Sequence, residues 1–340
     1  RDARAGTGQV STSREEEDDA PATRHLSSAR QQVAHYAASH HHAALDEALE
    51  TLIDAHPSGD LPIMALAGLD QLHLGGVTGT RELLALARLE PQPRGLAMLE
   101  LGAGLGGLAR HIASQSRDAG ADHHITTLDL SSSLCELAIA LNRATGLRES
   151  IRVLEGDACY PELHPALSGR RFDRLFSQHL LVHLSDKVST LTQWHDCLEQ
   201  DGYLLLHEPV LSVQAQAFGE RPALPLPWAL SPRGDQLASC EELHEAMASS
   251  GFEVDAHVEL TDQVLSWQAR RMRESTSEQP GAYREDAPAP SPAMLAARGL
   301  TPELVFGPAF SQMQRNLMLA LEAGWLEVHL WRLRKRPARQ

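Results

Sequence analysis

Apolar residues recur at helical spacing from Ala29 to Ala55, through Val33, Tyr36, Ala37, Ala44, Leu45, Ala48, Leu49 and Leu52, which predicts one or two helices ending before Pro57. Residues 1–24 ahead of them are polar, carry the acid run Glu15 to Asp19, and would bury little on ordering, so a disordered tail is expected. A helix is expected from Thr80 to Leu89, closed by Pro91 and Pro93. The pattern then alternates. Short apolar runs at Leu96 to Leu101, Ile125 to Leu130, Ile151 to Leu154, Phe172 to Phe176 and Tyr203 to His207 read as strands. Between them, Leu108 to Ser114, Ser133 to Ala144 and a stretch capped by Ser185 and running to Leu198 read as helices, the last stopped by Asp201-Gly202. Phe218 to Arg233, with four prolines, reads as a surface loop. A helix from Cys240 to Ser249, a strand from Glu253 to Glu259, a helix from Met313 to Leu321 and a last strand from Leu326 to Leu333 follow. The expectation is an α/β fold: a doubly wound, Rossmann-like seven-stranded sheet with N-terminal helices. The long segment Thr261 to Gly324, polar and Pro-rich from Ser275 to Pro292, is expected to cap the sheet before its last strand.

Charge and cysteine usage narrow the class. The 30 basic and 45 acidic side chains give a net charge of −15, and such a surface repels nucleic-acid backbones and anionic membranes. No nucleic-acid partner is expected, and no membrane span, because no apolar run reaches about 18 residues. Cys135, Cys159, Cys197 and Cys240 are far apart with no C-x-x-C pair, which argues against a disulfide framework or zinc knuckle and for a cytoplasmic setting. Arg1 stands where a methionine would begin a chain, so an incomplete N-terminus and a removed targeting segment stay open. His40, His41 and His42 point in different directions from a helix and read as a solvated face.

The glycines carry the first chemistry. Gly102, Gly104, Gly106 and Gly107 lie between a predicted strand and helix, where they permit a tight turn and let a ligand reach the helix N-terminus. Their spacing fits both G-x-G-x-G and G-x-G-x-x-G, and Asp129 at the next strand end is placed to hold ribose hydroxyls, so a nicotinamide dinucleotide and S-adenosylmethionine are rival cofactors. Two further acids separate them. Glu100 precedes the loop, where it can order it or receive a ligand ammonium, and Asp157 follows the third strand, where it can meet an adenine amino group. Acids after three successive strands suit a zwitterionic adenosyl sulfonium better than an anionic pyrophosphate.

With these residues the sequence resembles the class I S-adenosylmethionine-dependent methyltransferases over roughly residues 68–335. Leu99 to Gly107 is similar to their first motif, Leu128-Asp129-Leu130 to the acidic strand end, and Glu155-Gly-Asp157-Ala158 to the adenine motif. Phe172 to Ser177 and His183 to Asp186 resemble the fourth strand and the loop after it. The resemblance implies that Glu100, Gly102, Gly104, Gly106, Asp129, Leu130, Asp157, Ala158 and Ser177 bind the cofactor, and that the last strand inserts antiparallel beside the sixth. Leu69 to Gly76 with Thr80, and the Thr261 to Trp267 spacing, resemble the small-molecule branch: sarcosine/dimethylglycine, sterol, tocopherol and phosphoethanolamine methyltransferases. That likeness puts Gln71, His73 and Trp267 at the substrate. It divides the chain into a tail (1–24), a helical cap (25–90), the cofactor-binding core (91–260), a lid (261–324) and a last strand with basic tail (325–340).

An amine or hydroxyl acceptor must give up a proton, and His179, His183 and Glu208 beyond strands four and five are the candidates to take it, with His207 and His73 near the same edge. His179 and His183 are four apart but bracket a loop, so no metal is expected from them. A carboxylate-bearing acceptor would need an arginine, and Arg221, Arg270, Arg271 and Arg315 are available. The leading expectation is methylation of a small metabolite, with an amine or amino-acid derivative ahead of C- or O-methylation of a lipidic or natural-product acceptor. S-adenosyl-L-homocysteine would be the coproduct. A nicotinamide-dependent oxidoreductase and a catalytically silent interaction protein are the alternatives, and a homodimer stays open.

Overall fold

The structure, a computed structural model, describes residues 42–89, 95–277 and 300–336. The expected tail, His40, His41, most of the Pro-rich stretch and the basic tail's last four residues lie outside them. In chain order the main elements are α1 (His42–Asp54), α2 (Gly76–Leu86), β1 (Ala97–Leu101), α3 (Gly107–Asp118), β2 (His124–Asp129), α4 (Ser132–Ala144), β3 (Ile151–Glu155) and β4 (Phe172–Gln178). Then come α5 (Lys187–Cys197), β5 (Leu198–Leu211), α6 (Cys240–Ser249), β6 (Phe252–Glu259), α7 (Thr261–Ser277), α8 (Phe310–Glu322) and β7 (Leu326–Lys335).

The seven strands form one sheet in the order β3-β2-β1-β4-β5-β7-β6. Strands β1 to β5 pair in parallel, and β7 runs antiparallel between β5 and β6. Met98, Leu99 and Leu101 of β1 are wholly buried, as befits a central strand covered by helices on both faces. The strand order reverses between β1 and β4, and a crevice opens there at the carboxyl ends of the strands.

Two separate stretches of chain roof this crevice. Leu45, Leu49 and Leu52 of α1 share an apolar cluster with Leu105 and Leu134 of the core and with Val305 and Phe306 of the late insertion. The short helix Ala67–Asp70 lies so close to α3 that a Cβ on Gly107 would stand 2.3 Å from the Asp70 carbonyl oxygen. Gly107→Ala is therefore expected to force the cap off its seat and cost about 1–3 kcal/mol, read by urea denaturation; full stability in that variant would mean that the cap seats elsewhere.

Several local expectations need correction. Asp186, not Ser185, caps α5: its Oδ1 accepts the Ser189 N–H at 2.9 Å. Asp201-Gly202 does not separate a helix from a strand, because β5 already begins at Leu198; after Leu198 pairs with Phe172, residues 199–202 bulge out and pairing resumes at Arg174 with Tyr203. Helix α2 starts at Gly76 and ends at Leu86, and α8 starts at Phe310. The proline-rich loop is not on the surface throughout, since Leu226, Trp228 and Ala229 are buried. Local pattern marks a segment as irregular but carries no information on what it packs against.

Candidate active site

One cavity gathers most of the expected residues. Glu100, Gly102, Gly104, Asp129, Leu130, Asp157 and Ala158 line one part, and His73, His179 and His183 line another. Pro227 and Trp228 from the proline-rich loop and Val305 and Phe306 from the insertion close it with apolar walls.

Glu100, next to last in β1, is buried, and its Oε2 accepts the Ala109 N–H of α3 at 3.1 Å. Burial pushes its carboxyl up to about 8, against the pull of that N–H and of Arg110. It is thus largely protonated at neutral pH in the free protein, and a cation arriving beside it would ionise it. Asp129, last in β2, accepts the Gly104 N–H on Oδ2 at 2.7 Å and the Ser131 N–H on Oδ1 at 2.9 Å. Burial raises this carboxyl too, and those backbone N–H groups oppose the rise. The Asp157 Oδ1 accepts the Cys159 N–H at 2.8 Å, and the Trp194 indole donates to the Ala158 carbonyl at 2.7 Å, which fixes the backbone after β3. Gly104 has φ +53°, and a Cβ there would find nothing within 4 Å, so the loop leaves open space at the head of α3.

At the other part, three imidazoles pack together: the His207 ring lies 5.0 Å from those of His73 and His179. Burial lowers the pKa of all three, that of His73 to about 4, so they are neutral at pH 7. Thr80 gives its hydroxyl proton to Gln71 Oε1 at 2.5 Å, which leaves its oxygen to accept from His73 Nε2 at 3.0 Å. The Nε2–H tautomer of His73 follows. His179 has φ +54°, a conformation unusual for a side-chain-bearing residue, held by its N–H to the His207 carbonyl at 2.8 Å and by the Leu74 N–H to its Nε2 at 3.3 Å.

Other expected site residues sit elsewhere. Glu208 does not line the cavity: wholly buried, it accepts the N–H groups of Leu180 and Leu181 on Oε1, both at 3.0 Å, and so holds the loop that carries His179 and His183. Gln71 is buried behind His73, and Trp267 packs against Gly76 at the start of α2; neither lines the cavity. Gly106 caps α3 with φ +77°, and Ser177 is fully buried within β4. Of the candidate arginines, Arg221 pairs with Asp235, Arg315 donates to Gln312, and Arg270 is exposed; the Arg271 side chain lies outside the description.

Sequence reasoning missed the Asp70–Arg110 ion pair, 2.7 Å long with both side chains buried, beside the glycine loop. It also missed Trp228. A tryptophan among prolines is much apolar surface to leave in water, and that was the available signal.

A seven-stranded sheet with an antiparallel β7, a glycine loop after β1 and acids at the carboxyl ends of β1, β2 and β3 defines a class I, Rossmann-like methyltransferase architecture. The chain belongs to the methyltransferase-domain family, whose model matches residues 80–257. A phosphoethanolamine N-methyltransferase of Triticum aestivum is 24% identical over 217 residues, 64% of this chain and 39% of that protein. The chain thus spans about two fifths of the length of the curated relatives it matches. The [4+2]-cyclase SpnF superposes with a TM-score of 0.52 at 18% identity, covering 84% of this chain and 97% of that one. A geranyl diphosphate C-methyltransferase from Streptomyces coelicolor A3(2), solved with S-adenosyl-L-homocysteine, superposes with a TM-score of 0.51 at 12% identity over 76% and 77% of the two chains. At these identities the likeness is one of fold. Among the described residues, no helix is long and apolar enough to cross a membrane.

Proposed function

We propose that this chain transfers a methyl group from S-adenosylmethionine to the nitrogen of a small amine carried on an apolar body. The observation that carries the reading is the convergence of Glu100, Asp129 and Asp157 with the open glycine loop on one cavity. The donor set fits the cofactor: Asp129 for the ribose hydroxyls, Asp157 and the Ala158 backbone for the adenine, Glu100 for the ammonium. Among the described residues that line the cavity there is no lysine or arginine to pair with a dinucleotide's pyrophosphate, which disfavours the oxidoreductase reading. When bound, the cofactor supplies an electrophilic methyl on a sulfonium.

The chain's own contribution is placement and dryness. Pro227, Trp228, Val305 and Phe306 offer the acceptor apolar walls and exclude water. His73, His179 and His183 line the same space, and the first two are held neutral by burial, so they add no positive charge beside an incoming amine. The same desolvation disfavours an ammonium and leaves the nitrogen lone pair free to attack.

Two results are expected. Asp129→Ala loses charge-assisted hydrogen bonds of about 1.5–3 kcal/mol and should weaken S-adenosylhomocysteine binding roughly ten- to a hundredfold; unchanged affinity in a folded variant would remove Asp129 from the site. Glu100 stands at about 8 in the free protein, and a bound ammonium would lower it. Binding near neutral pH should therefore release a proton and tighten as pH rises toward 8, levelling off above. Calorimetry in buffers of different ionisation heat reads this, and Glu100→Gln should abolish it; proton release that survives in Glu100→Gln would place the ammonium elsewhere.

The activity itself is tested by incubating the chain with methyl-labelled S-adenosylmethionine and a metabolite extract and fragmenting the labelled product. Label on nitrogen supports the reading, label on oxygen or carbon replaces the acceptor chemistry, and cofactor binding without any labelled product contradicts it.

A further inference from the structure

A second cluster lies two strands beyond β5, on the face of the sheet that α6 covers. Cys240 and His244 are four residues apart on α6 and so share one helical face, and the Cys240 Sγ lies 3.9 Å from the His244 Nε2. His257 of β6 completes the group, with one ligand atom from each residue within 4.8 Å of the others. Tetrahedral zinc, with sulfur at about 2.3 Å and nitrogen at about 2.0 Å, holds its ligand atoms roughly 3.3–3.6 Å apart, so a small rotation of side chains brings the three into range. Cysteine spacing alone could not reveal this group, because its third member comes from a neighbouring strand.

The surroundings prepare His257 as a ligand. Its Nε2 lies 2.7 Å from His329 Nδ1, and His329 Nε2 lies 3.0 Å from the Glu327 Oε2. An ionised carboxylate only accepts, so His329 carries its proton on Nε2, its Nδ1 accepts from the His257 Nε2–H, and His257 keeps a bare lone pair on Nδ1. His329, itself held by Glu327, thus accepts from the His257 Nε2–H, and such a partner orients the His257 ring with its Nδ1 as the donor to a metal. His257 pairs with Trp331 and Glu259 with His329 across β6 and β7, so these residues share one face, and the charges of Glu259 and Glu327 both act on Cys240. The negative charge of these two carboxylates favours a cation beside Cys240, and the fourth position of a tetrahedral ion is left to water.

We propose that Cys240, His244 and His257 form a zinc site that pins α6 to β6, one of the two edge strands of the sheet. A thiolate with two imidazoles selects zinc over magnesium or calcium. The Trp331 indole donates to the His244 Nε2 at 2.9 Å and stacks on His257 at 5.0 Å, so a metal taking that nitrogen must displace the indole N–H and be felt by Trp331.

Titration of the full, metal-stripped chain with Co(II) tests the site. The expected result is a near-ultraviolet thiolate-to-cobalt absorption that saturates at one equivalent, a change in tryptophan emission, and loss of the absorption on adding Zn(II). Cys240→Ser should lose the absorption and His257→Ala should weaken binding at least about tenfold, while His124→Ala on β2 changes nothing. Cobalt binding without the thiolate absorption, or an absorption that survives Cys240→Ser, assigns the metal elsewhere and overturns the proposal. Thiol alkylation of the unsubstituted chain gives a reading that no variant's folding can confuse. Cys240 is half-buried while Cys135, Cys159 and Cys197 are buried, so Zn(II) should slow alkylation of Cys240 roughly tenfold or more. An unchanged rate overturns the site as well.

Discussion

Asp70→Ala is expected to destabilise the chain by about 3–5 kcal/mol, the range for breaking a buried ion pair by removing one partner. Arg110 is fully buried on α3, donates from Nη2 to Asp70 Oδ2 at 2.7 Å and from Nη1 to Asn142 Oδ1 of α4 at 3.0 Å. Burial pushes the Asp70 carboxyl up and Arg110 pulls it down, so the guanidinium favours the ionised form of Asp70. Without Asp70 the buried guanidinium keeps only a neutral amide, Asn142, as a side-chain partner among the described residues. Urea denaturation reads the loss, and the double variant Asp70→Leu with Arg110→Met should recover most of it, because no unpaired charge is left. A loss under about 1 kcal/mol would mean that water reaches the pair. The pair also joins the cap to the core beside the glycine loop, so cofactor affinity should fall in Asp70→Ala together with stability.

Gly104→Val is expected to separate binding from folding. A left-handed backbone at φ +53° costs a side-chain-bearing residue about 1–2 kcal/mol, which the fold can absorb. The added side chain has no protein atom within 4 Å of its Cβ and therefore projects into the space left for a ligand. Affinity for S-adenosylhomocysteine should drop more than about a hundredfold, equivalent to roughly 2.7 kcal/mol, in a variant with an intact circular dichroism spectrum. Retained affinity would mean that the glycine loop does not contact the cofactor.

Local signals made the sheet legible before the structure. Glycines at a strand end and acids at the next two strand ends are each read within a few residues. What was not legible depends on burial from afar. Glu208 looked like a base because it follows a strand at the right edge, yet its carboxylate turns under residues 180–181, a contact set by how β4 and β5 pair. Trp267 and Gln71 lie in segments that reach the site, but their side chains pack against Gly76 and Thr80. Trp228 shows the converse: its proline-rich segment reads as solvent-facing, while its ring forms a wall of the cavity.

The fold alone does not decide the reaction, since a cyclase and a C-methyltransferase share it with this chain. The central claim therefore rests on the ligand that the three acids accept. Calorimetric titration of the purified chain with S-adenosylhomocysteine and, separately, with NADH tests it most directly. The account predicts saturable S-adenosylhomocysteine binding at one site, lost in Gly104→Val, and no heat from NADH; binding of NADH alone would contradict it.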